Sequence, residues 1–185
     1  MKDEHTLEFA AASTNLDASR DLAKARRGTL YYDERKQWRH LPFRALVTVT
    51  TDHFAPVEEV ADIGLYVVCR RLIKAGVPKA IRLSPMVRHP DMTHEEADAH
   101  WRDIHAPLAL EHHGFMCHYT QLSVVHRISG AHIDGFALCG FESVEDLRER
   151  FYTRPQSRDV IAADVKRFAD TNKSPRRLIA SVNRY

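Results

Sequence analysis

Nine of the twelve histidines in this 185-residue chain fall between His89 and His132. Imidazole titrates near pH 6.5, so this stretch carries acid/base capacity at physiological pH. His105 leads the candidates. It follows Trp101 by one helical turn on the stripe Ala97, Trp101, Ile104, His105, Leu108, which turns its ring toward a sheet. A half-buried imidazole there can take a proton from carbon or oxygen and return it later; the alternative is a hydrogen bond to a backbone carbonyl that steadies the helix end. Strand alternation places Cys117, Tyr119, Gln121 and Ser123 on one face. If that face meets the helix, Tyr119 and Gln121 flank His105, and the phenol can polarise a carbonyl or stabilise an enolate; packing alone is the other reading of Tyr119. His126, near the end of the same strand, is a third acid/base candidate. Trp101, Leu108, Phe115, Gln121 and Phe136 are read as substrate-binding groups, because an apolar surround suits an aromatic guest.

Other spacings carry less. His112, His113, Cys117 and His118 cluster, but no HxxxH occurs, and zinc needs three or four convergent N or S ligands. His100 and His105 are five apart, about 140° around an α-helix, so they are not expected to grip one ion. No metal ligands are assigned. There is no phosphate-binding Gly-rich loop, GxSxG or dinucleotide fingerprint. Asp134 is read as fixing an Asp-Gly turn with Gly135, and Asp164 with Arg167 as helix-surface or dimer contacts.

The elements that must position these groups are legible from residue 79 onward. Ala80 to Arg88 alternates as a strand, with Pro85 pointing to an edge or a bulge. Thr93 and Glu96 form a capping box, so a helix begins at His94 with Glu95, Asp98, Arg102 and Asp103 outward; Pro107 ends or bends it beside His105. Phe115 to His126 and Phe136 to Phe141 form a hairpin. Ser143 and Ser157 cap two further helices, and Arg177 to Tyr185 closes the chain as a strand. Before residue 79, Phe43 to Thr51 reads as a strand and 57–75 as a helix, although Leu65 to Val68 equally suits a strand. Residues 1–43 read as an arm or irregular cover.

A mass of 21.3 kDa, 44% hydrophobic and 28% charged residues describe one globular domain, 44–185, behind that arm. No apolar run is long enough for a membrane span or a signal core, so a soluble, cytoplasmic protein is expected. A net charge of +2 argues against nucleic acid and membrane partners. Three cysteines without a CxxC pair suit a reducing compartment.

The order strand, helix, strand, strand, helix, strand is an α+β, ferredoxin-like split βαβ sheet with helices on one face. Its uncovered face calls for a partner, and a homodimer pairing sheet against sheet would supply one. The string His100 to Leu108, then Tyr119-x-Gln121, Asp134 to Ala137, Phe141 to Ser143 and Asp164-x-x-Arg-Phe-x-Asp170 resembles the EthD family of dimeric α+β barrel proteins over residues 79–185, with 44–78 an additional strand and helix. The resemblance implies small-molecule chemistry without cofactor on phenolic or polyketide-like compounds. Leu138 stands where many members carry an acidic residue. The resulting expectation is a lyase (dehydratase, cyclase or decarboxylase) acting on an aromatic or polyketide-like carbonyl compound through His105, Tyr119 and His126. The alternatives are a cofactor-free oxygenase of a phenolic substrate and a non-catalytic binder of a hydrophobic metabolite or haem.

Overall fold

A computed structural model describes residues 6–35 and 37–185. The chain runs β1 (Thr6–Ser13), α1 (Leu16–Ala25), β2 (Thr29–Tyr32), β3 (Ala45–Val49), α2 (Ala55–Val60) and β4 (Gly64–Lys74). It continues with β5 (Ala80–Met86), α3 (His94–His100), a π-turn (Trp101–His105), α4 (Ala106–His112), β6 (His118–Gly130), β7 (Gly135–Phe141), α5 (Val144–Glu149), α6 (Ser157–Phe168) and β8 (Leu178–Arg184). The eight strands close a barrel in the order β1-β3-β2-β8-β5-β7-β6-β4, with β4 returning to β1. Every pairing is antiparallel. Counted within itself, each half of the chain has the strand order 4-1-3-2, and the halves join at β2·β8 and β4·β6.

This overturns the reading of the first 43 residues as an arm or irregular cover, since β1, α1 and β2 lie within them. It also changes what closes the barrel. The open face of the second-half sheet, for which a second copy was expected, is covered by the chain's own first half. Within 57–75, α2 ends at Val60 and β4 occupies the rest; the strand alternative at Leu65 to Val68 is the one realised, because β4 is hydrogen-bonded on both sides, to β1 and β6. β5 is a central strand despite Pro85, because β8 pairs only with Ile81 to Leu83 and needs no amide from Pro85.

Alternation sorts the side chains. Leu46, Tyr66, Val68, Leu122, Phe136 and Leu138 pack with one another inside the barrel and fill it. The opposite faces pack against helices: Ala11, Leu30, Val47 and Leu65 under α1 and α2, and Ala80, Tyr119 and Phe141 with Ala106 and Ala109 of α4. Among the described residues, no helix is long and apolar enough to cross a membrane.

Candidate active site in the groove beside α3

The second-half helix begins as expected. Thr93 accepts from the Glu96 amide and the Glu96 carboxylate accepts from the Thr93 amide, a complete capping box. It does not end at Pro107. Instead, one wide turn intervenes, in which the Ala106 amide donates to the Trp101 carbonyl five residues back. In a regular helix the Pro107 ring would collide with the Asp103 carbonyl; the π-turn opens the helix there and lets it run on to His112.

That extra residue in the turn rearranges the expected stripe. Trp101 keeps its place against the sheet, donating through Nε1 to the Tyr119 hydroxyl at 3.1 Å. His105 is carried round to α6, where its Nδ1 lies 2.8 Å from Asp164 Oδ2 and its ring centroid 5.1 Å from that of Phe168. His100 Nε2 meets the other oxygen, Oδ1, at 2.9 Å. Two histidines that an α-helix would hold about 140° apart thus share one carboxylate. Asp164 is not a surface residue but a buried clamp between α6 and the helix carrying both rings. Burial lowers the His105 pKa, with the Asp164 carboxylate acting in the opposite direction. Burial would raise Asp164, and its bonds to His100 and His105 outweigh that and hold it below the usual carboxylate range. His105 is 8% exposed and is enclosed by protein. It does not line the groove described below.

The other expected site residues do not gather around it. Tyr119, Gln121 and Ser123 do face the helix. Tyr119, however, is wholly buried and its hydroxyl accepts from Trp101 and, at 3.0 Å, from Gln121 Nε2; burial pushes its pKa well up. Phe136 faces the barrel interior, on the other side of the sheet, 5.5 Å from the Tyr66 ring. Phe115 is a surface ring under the Arg150 guanidinium. Leu108 is half-buried and His126 is exposed on β6. The His112 to His118 cluster also disperses: His112 bonds Ser157, His113 bonds the Phe151 carbonyl, Cys117 bonds the Gly140 carbonyl and His118 bonds Thr120. No group of three or more His, Cys, Asp or Glu among the described residues could hold a metal ion.

Reactive groups converge elsewhere, in an open groove of about 550 Å³ lined by Cys69 and Arg71 of β4, His94, Glu95, Asp98 and Ala99 along α3, Arg102 of the π-turn, and Ser123 and Val125 of β6. Arg71 forms its floor. It is 6% exposed, grips Asp98 through both terminal nitrogens at 2.7 Å each, and donates from Nε to Gln121 Oε1 at 3.1 Å. Its guanidinium carbon sits 5.5 Å from the Trp101 ring centroid, a cation–π distance. Gln121 in turn donates to the Trp101 carbonyl at 2.9 Å. Asp98, expected to point outward, is therefore an inward residue. Its burial favours the neutral form, but the bonds from Arg71 and Ser123 prevail and keep its pKa low. At the groove's edge, His94 Nδ1 lies 3.4 Å from Asp134 Oδ1. Asp134 does more than fix a turn. It is 6% exposed and also receives the Arg88 amide at 2.9 Å and the Arg88 guanidinium at 2.8 Å; burial opposes its charge, and those bonds from Arg88 hold its pKa below the ordinary value. A buried carboxylate on one ring nitrogen orients an imidazole and leaves Nε2 for a guest. Sequence reasoning missed Arg71 because it lay in a presumed helix, and passed over His94 as merely the first residue after a cap. The alternation Cys69, Arg71, Ile73 was the available signal.

Residues 89–172 match the EthD domain model. This part of the chain is similar to EthD domains. It spans α3 to α6 with β6 and β7, and Arg71 lies outside it. No curated protein matches the chain. Among solved structures, an anthrone oxidase-like protein superposes with a TM-score of 0.61 at 10% identity, covering 98% of this chain and 92% of its own. That likeness shows a shared fold that includes the first half. A second, described as "putative monooxygenase from Lactobacillus acidophilus NCFM", has a TM-score of 0.49 at 10% identity over 96% and 92% of the two chains. The expectation of a lyase is overturned here: beside the EthD match, the solved structure that superposes along the whole chain carries the name of an anthrone oxidase-like protein, not of a lyase.

Proposed function

We propose that this protein is a cofactor-free oxygenase of a phenolic substrate, bound in the groove beside α3. The single observation that carries the assignment of the site is the buried Arg71 guanidinium, fixed by Asp98, Gln121 and Trp101 and presented to the groove. The oxygenase class is supported by the name of the fold neighbour, and each half of the barrel is read as a ferredoxin-like unit.

His94, oriented by Asp134, takes the phenolic proton on Nε2. Arg71 shares its hydrogen bonds between Asp98 and the phenolate oxygen; a cation at that range favours the ionised form of an acid by about 1–3 pKa units. The electron-rich anion reduces dioxygen; one C–H bond of its activated CH2 group breaks, its proton passing to the peroxide oxygen, and a carbon–oxygen bond forms at that carbon. Loss of water from the resulting hydroperoxide leaves a carbonyl. One oxygen atom enters the product and the other leaves as water, so no external reductant is consumed. Asp98 is the counter-ion that keeps Arg71 in place, and its low pKa makes it a poor base.

An oxygen electrode tests this with 1,8-dihydroxyanthrone as probe, against its uncatalysed autoxidation. One dioxygen consumed per quinone formed is expected. Binding of the probe without accelerated uptake would leave a non-catalytic binder and refute the oxygenase reading.

A further inference from the structure

The barrel is built from two halves of the same strand order, and their helix–sheet layers differ in kind. Under α1 and α2 the layer is apolar, made of Ala11, Leu22, Leu30, Val47 and Leu65 with Phe54. Beside α3 it holds the connected polar set Arg71, Asp98, Trp101, Tyr119, Gln121 and Ser123. The seams differ likewise. At β4·β6, Arg71 stands opposite Gln121. At the corresponding β2·β8 seam the opposed pairs on the helix-facing side, Leu30 with Asn183 and Tyr32 with Ser181, are uncharged, and Arg184 stands opposite Thr29 on the alternate face.

We infer that the barrel takes one phenolate per chain, at the β4·β6 seam only, and that Gln121 is the positioning residue for Arg71. This rests on the phenolic reading of the groove given above. The first half supplies the anion-holding guanidinium, while base, counter-ion and positioning amide come from the second. A guanidinium with four rotatable bonds loses its aim unless its fork is fixed. Asp98 fixes the two terminal nitrogens and competes with the ligand for them; Gln121 fixes Nε, which no ligand needs. The Gln121 amide is itself immobilised by the Trp101 carbonyl and the Tyr119 hydroxyl. The first-half layer is filled by aliphatic side chains, and the Arg20 guanidinium beside it lies over the Tyr32 ring and pairs with the exposed Asp17 instead of being fixed by buried groups.

The test uses p-nitrophenol, whose yellow phenolate band reports its own ionisation and needs no turnover. Equilibrium titration of the whole protein is expected to give one dye per chain, with the bound dye's pKa lowered by about one unit, a tenfold shift toward phenolate. Gln121→Met is expected to lose at least half of that shift while its melting temperature shows a folded protein. Arg71→Lys, which keeps the charge but not the fork, loses most of it and no longer responds to Gln121→Met in the double variant. Two dyes per chain, an unshifted bound pKa in the native protein, or the full shift retained in Gln121→Met would overturn the inference. Dye binding as expected together with no oxygen uptake would sink the oxygenase reading alone; oxygen uptake without these dye signatures would sink the inference alone.

Discussion

Acid should unfold this protein through its buried histidines before its carboxylates are protonated. His113 and His118 are both 3% exposed, and burial pushes each pKa down to about 4, with only a single carbonyl bond acting the other way at His113. An unfolded histidine takes up a proton near pH 6.5, whereas these stay neutral in the fold down to about 4. A depressed folded pKa is stability present above the unfolded value and lost as pH falls between the two. For His113 the 2.5-unit gap corresponds to about 3 kcal/mol at pH 4. For His118, solvent screening halves a similar figure to about 1.5 kcal/mol. His105 acts in the same direction. The sum is a large share of the roughly 5–15 kcal/mol that holds a domain folded. Urea denaturation at half-unit pH steps from 7 to 4 should show the midpoint falling steadily from about pH 6.5. His113→Gln should flatten that slope by more than half. An unchanged midpoint between pH 7 and 4.5, or an identical slope in His113→Gln, would refute the assignment of these rings as buried and neutral.

Asp164→Ala removes the carboxylate that His100 and His105 share; it should cost about 2–4 kcal/mol, because two enclosed imidazoles lose their partner, and chemical denaturation will report it. Gly135→Ala should weaken both stability and substrate turnover. A Cβ there would lie 2.5 Å from a Trp101 ring carbon, and overpacking of that kind costs about 1–3 kcal/mol while pushing Trp101 off Tyr119 and the Gln121 amide.

The sequence was informative wherever a local rule acted alone. The Thr93–Glu96 box marked the start of α3 because capping is decided within four residues. Alternation along β6 put Cys117, Tyr119, Gln121 and Ser123 on one face because a strand has only two; which face meets the helix was not decided by alternation. What escaped were features that depend on distant chain. β4 is a strand because β1 and β6 flank it, and residues 64–74 judged in isolation carry helical spacing as well. The first half pairs with the second, and a polar, weakly periodic segment such as 1–43 does not announce that. Pro107 was read as ending or bending the helix; the helix continues through a π-turn, and that one inserted residue moved His105 from the sheet to α6. The hydrogen bonds of Asp98, Asp134 and Asp164 likewise come from residues up to 64 positions away, beyond the reach of spacing arguments.

The centre of this account is that chemistry occurs in the groove beside α3 and not at His105. Oxygen uptake with 1,8-dihydroxyanthrone, measured side by side for His94→Asn and His105→Asn at a temperature where both are folded, tests that most directly. Loss of a positioned base costs about 10²–10⁴-fold, so His94→Asn should fall at least a hundredfold in kcat/KM while His105→Asn stays within threefold of the parent. The reverse pattern would return the active site to the His105–Asp164 pair and contradict the account.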